Sequence, residues 1–206
     1  MKVVRFDQLI PQVLIRIPSG CSTSLILDAI RSCAGSFCSE TEIWREELTA
    51  QNLVAAQKAY SINPGYTAGI KRIYSANVRS AAEVTAGTKG SSLDLDKASF
   101  SPRTDIITFD TAPSAVSITN GLVFTVILIP EFKSNEIAAW IIDRWSDGII
   151  AGAVSEICGR PGPTFNQVIW ERAAGDYRNA KADAMREAMA DFKEGTLQFQ
   201  PGWRLI

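Results

Sequence analysis

Five residues, Gly159-Arg160-Pro161-Gly162-Pro163, separate two long stretches of helical periodicity and constrain the fold more than anything else in the chain. Proline cannot continue a helix, and glycine supplies the left-handed conformation that closes one. Before the break, Ile137, Ile141, Trp145, Ile149 and Gly152 make one stripe, which predicts a helix over 135–158 with Ser134 as its cap. After it, Thr164-Phe165-Asn166-Gln167 matches a capping box. The following stripe holds Phe165, Ile169, Ala173, Tyr177, Ala180, Ala184, Ala188 and Phe192 and predicts a helix over 164–194, closed by Gly195. A connection this short forces the pair into an antiparallel hairpin. Gly148, Gly152 and the alanines let the two axes approach closely, with Trp145, Ile149, Gly152, Ile169, Ala173 and Tyr177 as the expected packing residues.

The first two thirds read differently. Pro11, Pro18 and Gly20 mark an extended or briefly helical lead-in, and Ser22, Thr23 and Ser24 offer caps for a helix over 22–39. Its stripe is Ile26, Ile30, Cys33 and Phe37. Strand patterning follows at Ile43–Leu48, at Ala59–Ile62 ahead of the turn Asn63-Pro64-Gly65, and at Ile70–Val78. Residues Ala81–Arg103 are poor in large apolar side chains and read as a long loop. Strands resume at Asp105–Asp110 and from Val116 to Ile129, with Pro130 as the stop. Asn120-Gly121 lies inside that last run. It either turns a tight hairpin or ends the loop before one long strand.

These elements predict an α+β fold: an N-terminal helix, a small antiparallel sheet over 42–130 with a long loop, and the helical hairpin. With 46% apolar and 21% charged residues in 206, the composition is that of an ordinary globular chain. Met1 to Asp7 has no uninterrupted apolar run, so no signal peptide is expected. The strongest apolar stretch, Leu122–Ile129, is far short of the roughly 20 residues that span a bilayer. A soluble protein with no membrane partner is expected.

The chain has no histidine. That removes Ser-His-Asp and Cys-His arrangements and His-ligated zinc or haem, and it lowers the expectation of catalysis without eliminating carboxylate chemistry. Cys21, Cys33, Cys38 and Cys158 form no C-x-x-C pair and read as free thiols packed as small apolar groups. Gly87-Thr88-Lys89-Gly90-Ser91-Ser92 only imitates a phosphate loop, since the order is wrong and no helix follows. Asp94 and Asp96 read as alternation in a loop or edge strand, and Glu46-Glu47 face opposite sides of a strand. The charges of the last helix alternate in sign, as on a solvated face. No catalytic residue, metal ligand or cofactor site is expected. Lys plus Arg number 21 against 22 Asp plus Glu, a balance that disfavours a phosphate-gripping protein.

In the order of its motifs the chain resembles the head-to-tail adaptor (connector, neck) proteins of tailed bacteriophages. The likeness runs from Ser22 to Phe192. It rests on the helix leading into Ile43-Trp44-Arg45-Glu46-Glu47, on Tyr60-Ser61-Ile62-Asn63-Pro64-Gly65, and on the strand Phe124 to Pro130. Trp140-Ile141-Ile142-Asp143-Arg144-Trp145, Ile149-Ile150-Ala151-Gly152-Ala153, and the charged helix from Pro161 to Phe192 complete it.

The resemblance implies a non-enzymatic virion protein at the head–tail junction, made in the host cytoplasm. Residues 1–194 would be a single adaptor domain and 195–206 a docking tail. The protein would form a homo-oligomeric ring, of about twelve copies in the family, between the portal and the next tail or neck protein. Double-stranded DNA would pass through its channel without sequence-specific contact. By the same resemblance, Trp203, Arg204, Leu205 and Ile206 would anchor the tail on the portal. Other readings are a tail terminator or stopper ring, a non-viral soluble binding module, and, least favoured, a hydrolase using Asp94 or Asp96.

Overall fold

The computed structural model of the chain describes residues 2–64, 68–102, 104–131 and 134–194. It is a mixed α and β structure whose sheets are antiparallel throughout the described residues. The chain opens with β1 (Val3–Arg5), a 3₁₀ turn and the short α1 (Ile10–Leu14), with Pro11 in its first turn, where a missing N–H costs nothing. Helix α2 (Thr23–Thr41) begins where the serine cap lies: Ser22 Oγ accepts from Leu25 N at 3.3 Å. Its Ile26, Ile30, Cys33 and Phe37 are buried along one face. It ends on Glu42 in the left-handed region, φ 52°, where the chain turns into β2 (Arg45–Glu47).

The central strand is β9 (Ile118–Pro130). Leu122 to Leu128 are buried apart from half-buried Thr125, because β9 is bonded on both edges and covered on both faces. Strands β2 and β3 (Gln51–Leu53) pair along one edge, and β5 (Ala68–Val78) pairs along the other. The sheet order is β2-β9-β5-β6, with β6 at Ser91–Ser92. A separate three-stranded sheet, β4-β8-β7, joins Ala59–Ser61, Ile106–Phe109 and Ala98–Ser101, with Tyr60 edge-on to Phe109.

Helices α4 (Ala139–Gly159) and α5 (Gln167–Glu194) lie side by side in opposite senses. Arg144 pairs with Glu187, Gly148 faces Ala180, Gly152 faces Tyr177, and Gly159 faces Trp170. Both helices pack on α2, through Phe37 to Trp145 and Tyr177, and the apolar core is continuous from there to the sheet.

Several local expectations are corrected. The segment 81–103 is not a structureless loop. Ser80 and Glu83 form a reciprocal capping box on α3 (Ala81–Ala86), and Asp94 caps a 3₁₀ turn over Leu95–Lys97 between β6 and β7. Arg103 lies outside the described residues, as do Gly65 of the expected turn and the side chain of Phe192.

Asn120-Gly121 makes no hairpin. Asn120 sits at φ 53° inside β9, where three residues of β9 oppose one of β3. This bulge lets the strand continue, and Asn52 Oδ1 accepts from Asn120 N at 3.1 Å. Ser134 does not cap α4, because β1 recruits residues Glu136–Ala138 into β10 and the helix starts at Ala139. Nor does the last helix start at Thr164. Thr164 is buried and donates to Ile157 O at 3.3 Å, while Asn166 Oδ1 caps α5 by accepting from Ile169 N at 3.0 Å.

Candidate functional site

Two faces of the helical layer carry the residues that the sequence singles out. On the inner face, Gly152 leaves space for the Tyr177 ring: a Cβ there would stand 3.0 Å from the ring carbons and 3.1 Å from Cys33 Cβ. The Tyr177 hydroxyl donates to Cys33 O at 2.9 Å, which fixes α5 to the middle of α2. Burial pushes the Tyr177 phenol up from its ordinary range, with the Cys33 thiol nearby acting in the same direction. Phe37 lies between Trp145 and Tyr177, with ring centroids 5.8 and 6.3 Å away. Ile149 is fully buried. Trp145, Ile149, Gly152 and Tyr177 therefore meet at one place, on α2.

Ile169 and Ala173 lie elsewhere, on the outward side of the same seam. With Ala151, Val154 and Val168 they line a shallow groove of about 520 Å³ between α4, α5 and the end of α1. Arg16, Arg172 and Asp176 border it, and Arg16 bonds Asp147 at 2.8 Å across to α4. Val168 is 77% exposed at its rim, whereas Ala151, Val154 and Ala173 are buried. Arg16 is the member that sequence reading missed, because it reaches the seam from the distant lead-in.

A second polar cluster surrounds the end of α2. Glu42 takes Arg72 Nε and Lys71 Nζ, each at 3.0 Å, and Lys71 also donates to Ser39 O. Partial burial disfavours the charged Glu42 carboxylate, but the bonds from Arg72 and Lys71 outweigh it and hold the group below the usual carboxylate range. Arg45 stands over the Tyr74 ring at 4.6 Å and donates to Ala188 O of α5 at 2.9 Å. Each cation here serves the join between helix and sheet.

Of the groups weighed for catalysis, Asp94 and Glu47 have structural partners. Asp94 Oδ1 accepts from Asp96 N at 3.1 Å, and Lys97 sits 3.3 Å from its other oxygen. Glu47 lies 3.5 Å from Arg79, while Glu46 has one carboxylate oxygen buried. Gly87 closes α3 in the left-handed region and Ser91–Ser92 pair with Asn77 and Val78, so the glycine-rich stretch is a cap followed by a strand. The four cysteines are free thiols; burial raises Cys33, assisted by Glu156, and pushes Cys38 up to about 12. Among the described residues no three His, Cys, Asp or Glu side chains gather as a metal site would need. No helix of the described residues is long and apolar enough to cross a membrane.

The expected portal anchors Trp203, Arg204, Leu205 and Ile206 lie outside the described residues. Compared with known families and with curated proteins, the chain matches no family model and no curated protein.

Proposed function

We propose that this chain is a structural ring protein of a tailed-phage neck, a head-to-tail adaptor that joins the portal to the next tail component around a channel for double-stranded DNA. The observation that carries the reading is the packing of the last two helices on the helix that leads into the sheet. Helix α2 runs directly into edge strand β2, and the antiparallel pair α4–α5 packs back on α2 at Phe37. That supports an adaptor-like arrangement with a C-terminal helical hairpin.

The open seam groove offers a lateral surface for a neighbouring copy in the ring, with both signs of charge on its border. The near-zero net charge suits a channel through which DNA slides without being gripped. In this reading the tail anchors, Trp203 and Leu205 first among them, dock on the portal, since buried aromatics dominate such contacts.

Co-sedimentation with the portal protein of the same virus tests this. The full chain is expected to pellet with the portal, and Trp203→Ala with Leu205→Ala to lose at least about tenfold in affinity while remaining folded by circular dichroism. Equal portal binding by that double variant would remove the anchors, and no binding by the full chain would remove the reading.

A further inference from the structure

Arg16 and Cys21 lie on one stretch of chain, the lead-in between α1 and α2. Arg16 bonds Asp147 of α4 at 2.8 Å and borders the groove floored by Ala151 and Val154. Asp147, Ala151, Val154 and Cys158 follow the spacing i, i+4, i+7, i+11, which puts them along one side of α4. The lead-in joins that side at Arg16, and Cys158 stands on it in the last turn of the helix. Val154 to Cys158 is about 6 Å along the axis at 1.5 Å per residue, whereas the chain from Arg16 to Cys21 spans about 17 Å when extended. Cys21 can therefore reach Cys158.

Helix α2 sets the direction from the other end. Its cap is Ser22, the residue after Cys21. Phe37 of α2 lies against Trp145 and the Gly148 position of α4. One turn earlier in α2, Cys33 lies against Gly152 and donates to Glu156 at 3.5 Å. Going back along α2 is thus going forward along α4. The start of α2 comes beside the end of α4, and Cys21 arrives there with it.

The thiols are placed accordingly. Cys158 is fully buried, and Cys21 is half-buried against the same core. Burial raises the Cys158 thiol, and the Cys21 sulfur acts in the same direction, a coupling that requires the two groups to be close. Burial also raises Cys21, while the Arg160 guanidinium beside it works the other way. Cys33 and Cys38 sit differently: Cys33 is turned to Glu156, and Cys38 is fully buried further along α2.

We propose that Cys21 and Cys158 are a modification site, joined as an intramolecular disulfide by a small-molecule disulfide such as oxidised glutathione. Cys21, the more exposed, gives its proton to solvent, and its sulfur attacks one sulfur of the oxidised glutathione. The glutathione S–S bond breaks, and one glutathione leaves as a thiolate that takes up a proton. Cys158 then gives up its proton, its sulfur attacks the Cys21 sulfur, and the second glutathione leaves in the same way. Two protein thiols are oxidised, and one glutathione disulfide is reduced to two glutathione thiols. The bond pins the lead-in to the end of α4, and with it Arg16, one border of the seam groove. This holds whatever the chain assembles with.

Peptide mass mapping of the full chain tests it, after incubation with oxidised glutathione without denaturant and blocking of the remaining thiols in denaturant. The expected product is one linked pair of peptides carrying Cys21 and Cys158, with Cys33 and Cys38 both blocked. Cys158→Ser stops the sequence after its first step, so Cys21 keeps one glutathione. Cys21→Ser, at a half-buried position that leaves the core intact, loses the link and leaves Cys158 to be blocked. A Cys21 that stays free in the unsubstituted chain, or that keeps its glutathione there, overturns the proposal. So does a link that joins two copies, and so does one that uses Cys33 or Cys38.

Discussion

At the α4–α5 seam a single added methyl has nowhere to go: a Cβ on Gly148 would stand 2.5 Å from the Ala180 Cβ. At Gly87, in the segment between β5 and β7, nothing lies within 4 Å of the same addition. The first region is held by contacts between residues far apart in the chain, in a core of close-packed side chains. Helix α3, which Gly87 closes, is held by residues that touch their own neighbours, Ser80 with Glu83, and buries no side chain. One region fails through volume and the other through hydrogen bonding. A loss at the seam spreads through the core, whereas a loss in α3 stays there.

The largest effect is expected at Phe37, which is fully buried against Trp145 and Tyr177. Phe37→Ala should cost about 3–5 kcal/mol in urea unfolding, since truncating a buried aromatic leaves a cavity. Gly148→Ala comes next. Overpacking costs about 1–3 kcal/mol, partly offset by the gain of about 1 kcal/mol in helix propensity. Adding Ala180→Gly to the same chain should recover the packing loss, and a stabilising Gly148→Ala would break the account of the seam.

Ser80→Ala removes the cap of α3 and should cost that helix about 1 kcal/mol. Because α3 buries nothing, hydrogen exchange at Val84 should quicken while the global unfolding midpoint stays in place. A midpoint that falls as far as that of Gly148→Ala would erase the contrast between the two regions.

The smallest effect is a pH dependence at the end of α2. The Glu42 carboxyl titrates lower in the folded chain than when unfolded, so its contribution is present above the ordinary carboxylate range and is lost as pH falls through the folded value. Glu42→Gln should flatten the acid side of the stability profile. An unchanged profile would mean that Arg72 and Lys71 find equal partners in the unfolded chain.

What could be read from sequence follows the same division. Helix α2 was legible because its cap, Ser22, and its stripe are local, and β4 and β8 carried their own alternation. The edge strand β3 and the pair β1–β10 were not, since three-residue strands exist only through partners about 70 and 130 positions away. The same long-range pairing misplaced the start of α4: Ser134 is a good cap by type, but Val3–Arg5 takes the residues after it. Helix α3 was missed although Ser80-Ala81-Ala82-Glu83 has the capping-box spacing; its lack of an apolar stripe hid it.

The candidate site divides likewise. Trp145, Ile149, Gly152 and Tyr177 share helical stripes and do converge, whereas the groove at Ile169 and Ala173 needs Arg16, which no periodicity links to α5.

The adaptor reading stands or falls on stoichiometry. Native mass spectrometry of the full chain, alone and after mixing with the portal that the proposal implies, measures that directly. The account predicts a fixed ring of copies on each portal, set by the portal's own symmetry. A stable monomer or dimer that never joins the portal would contradict it.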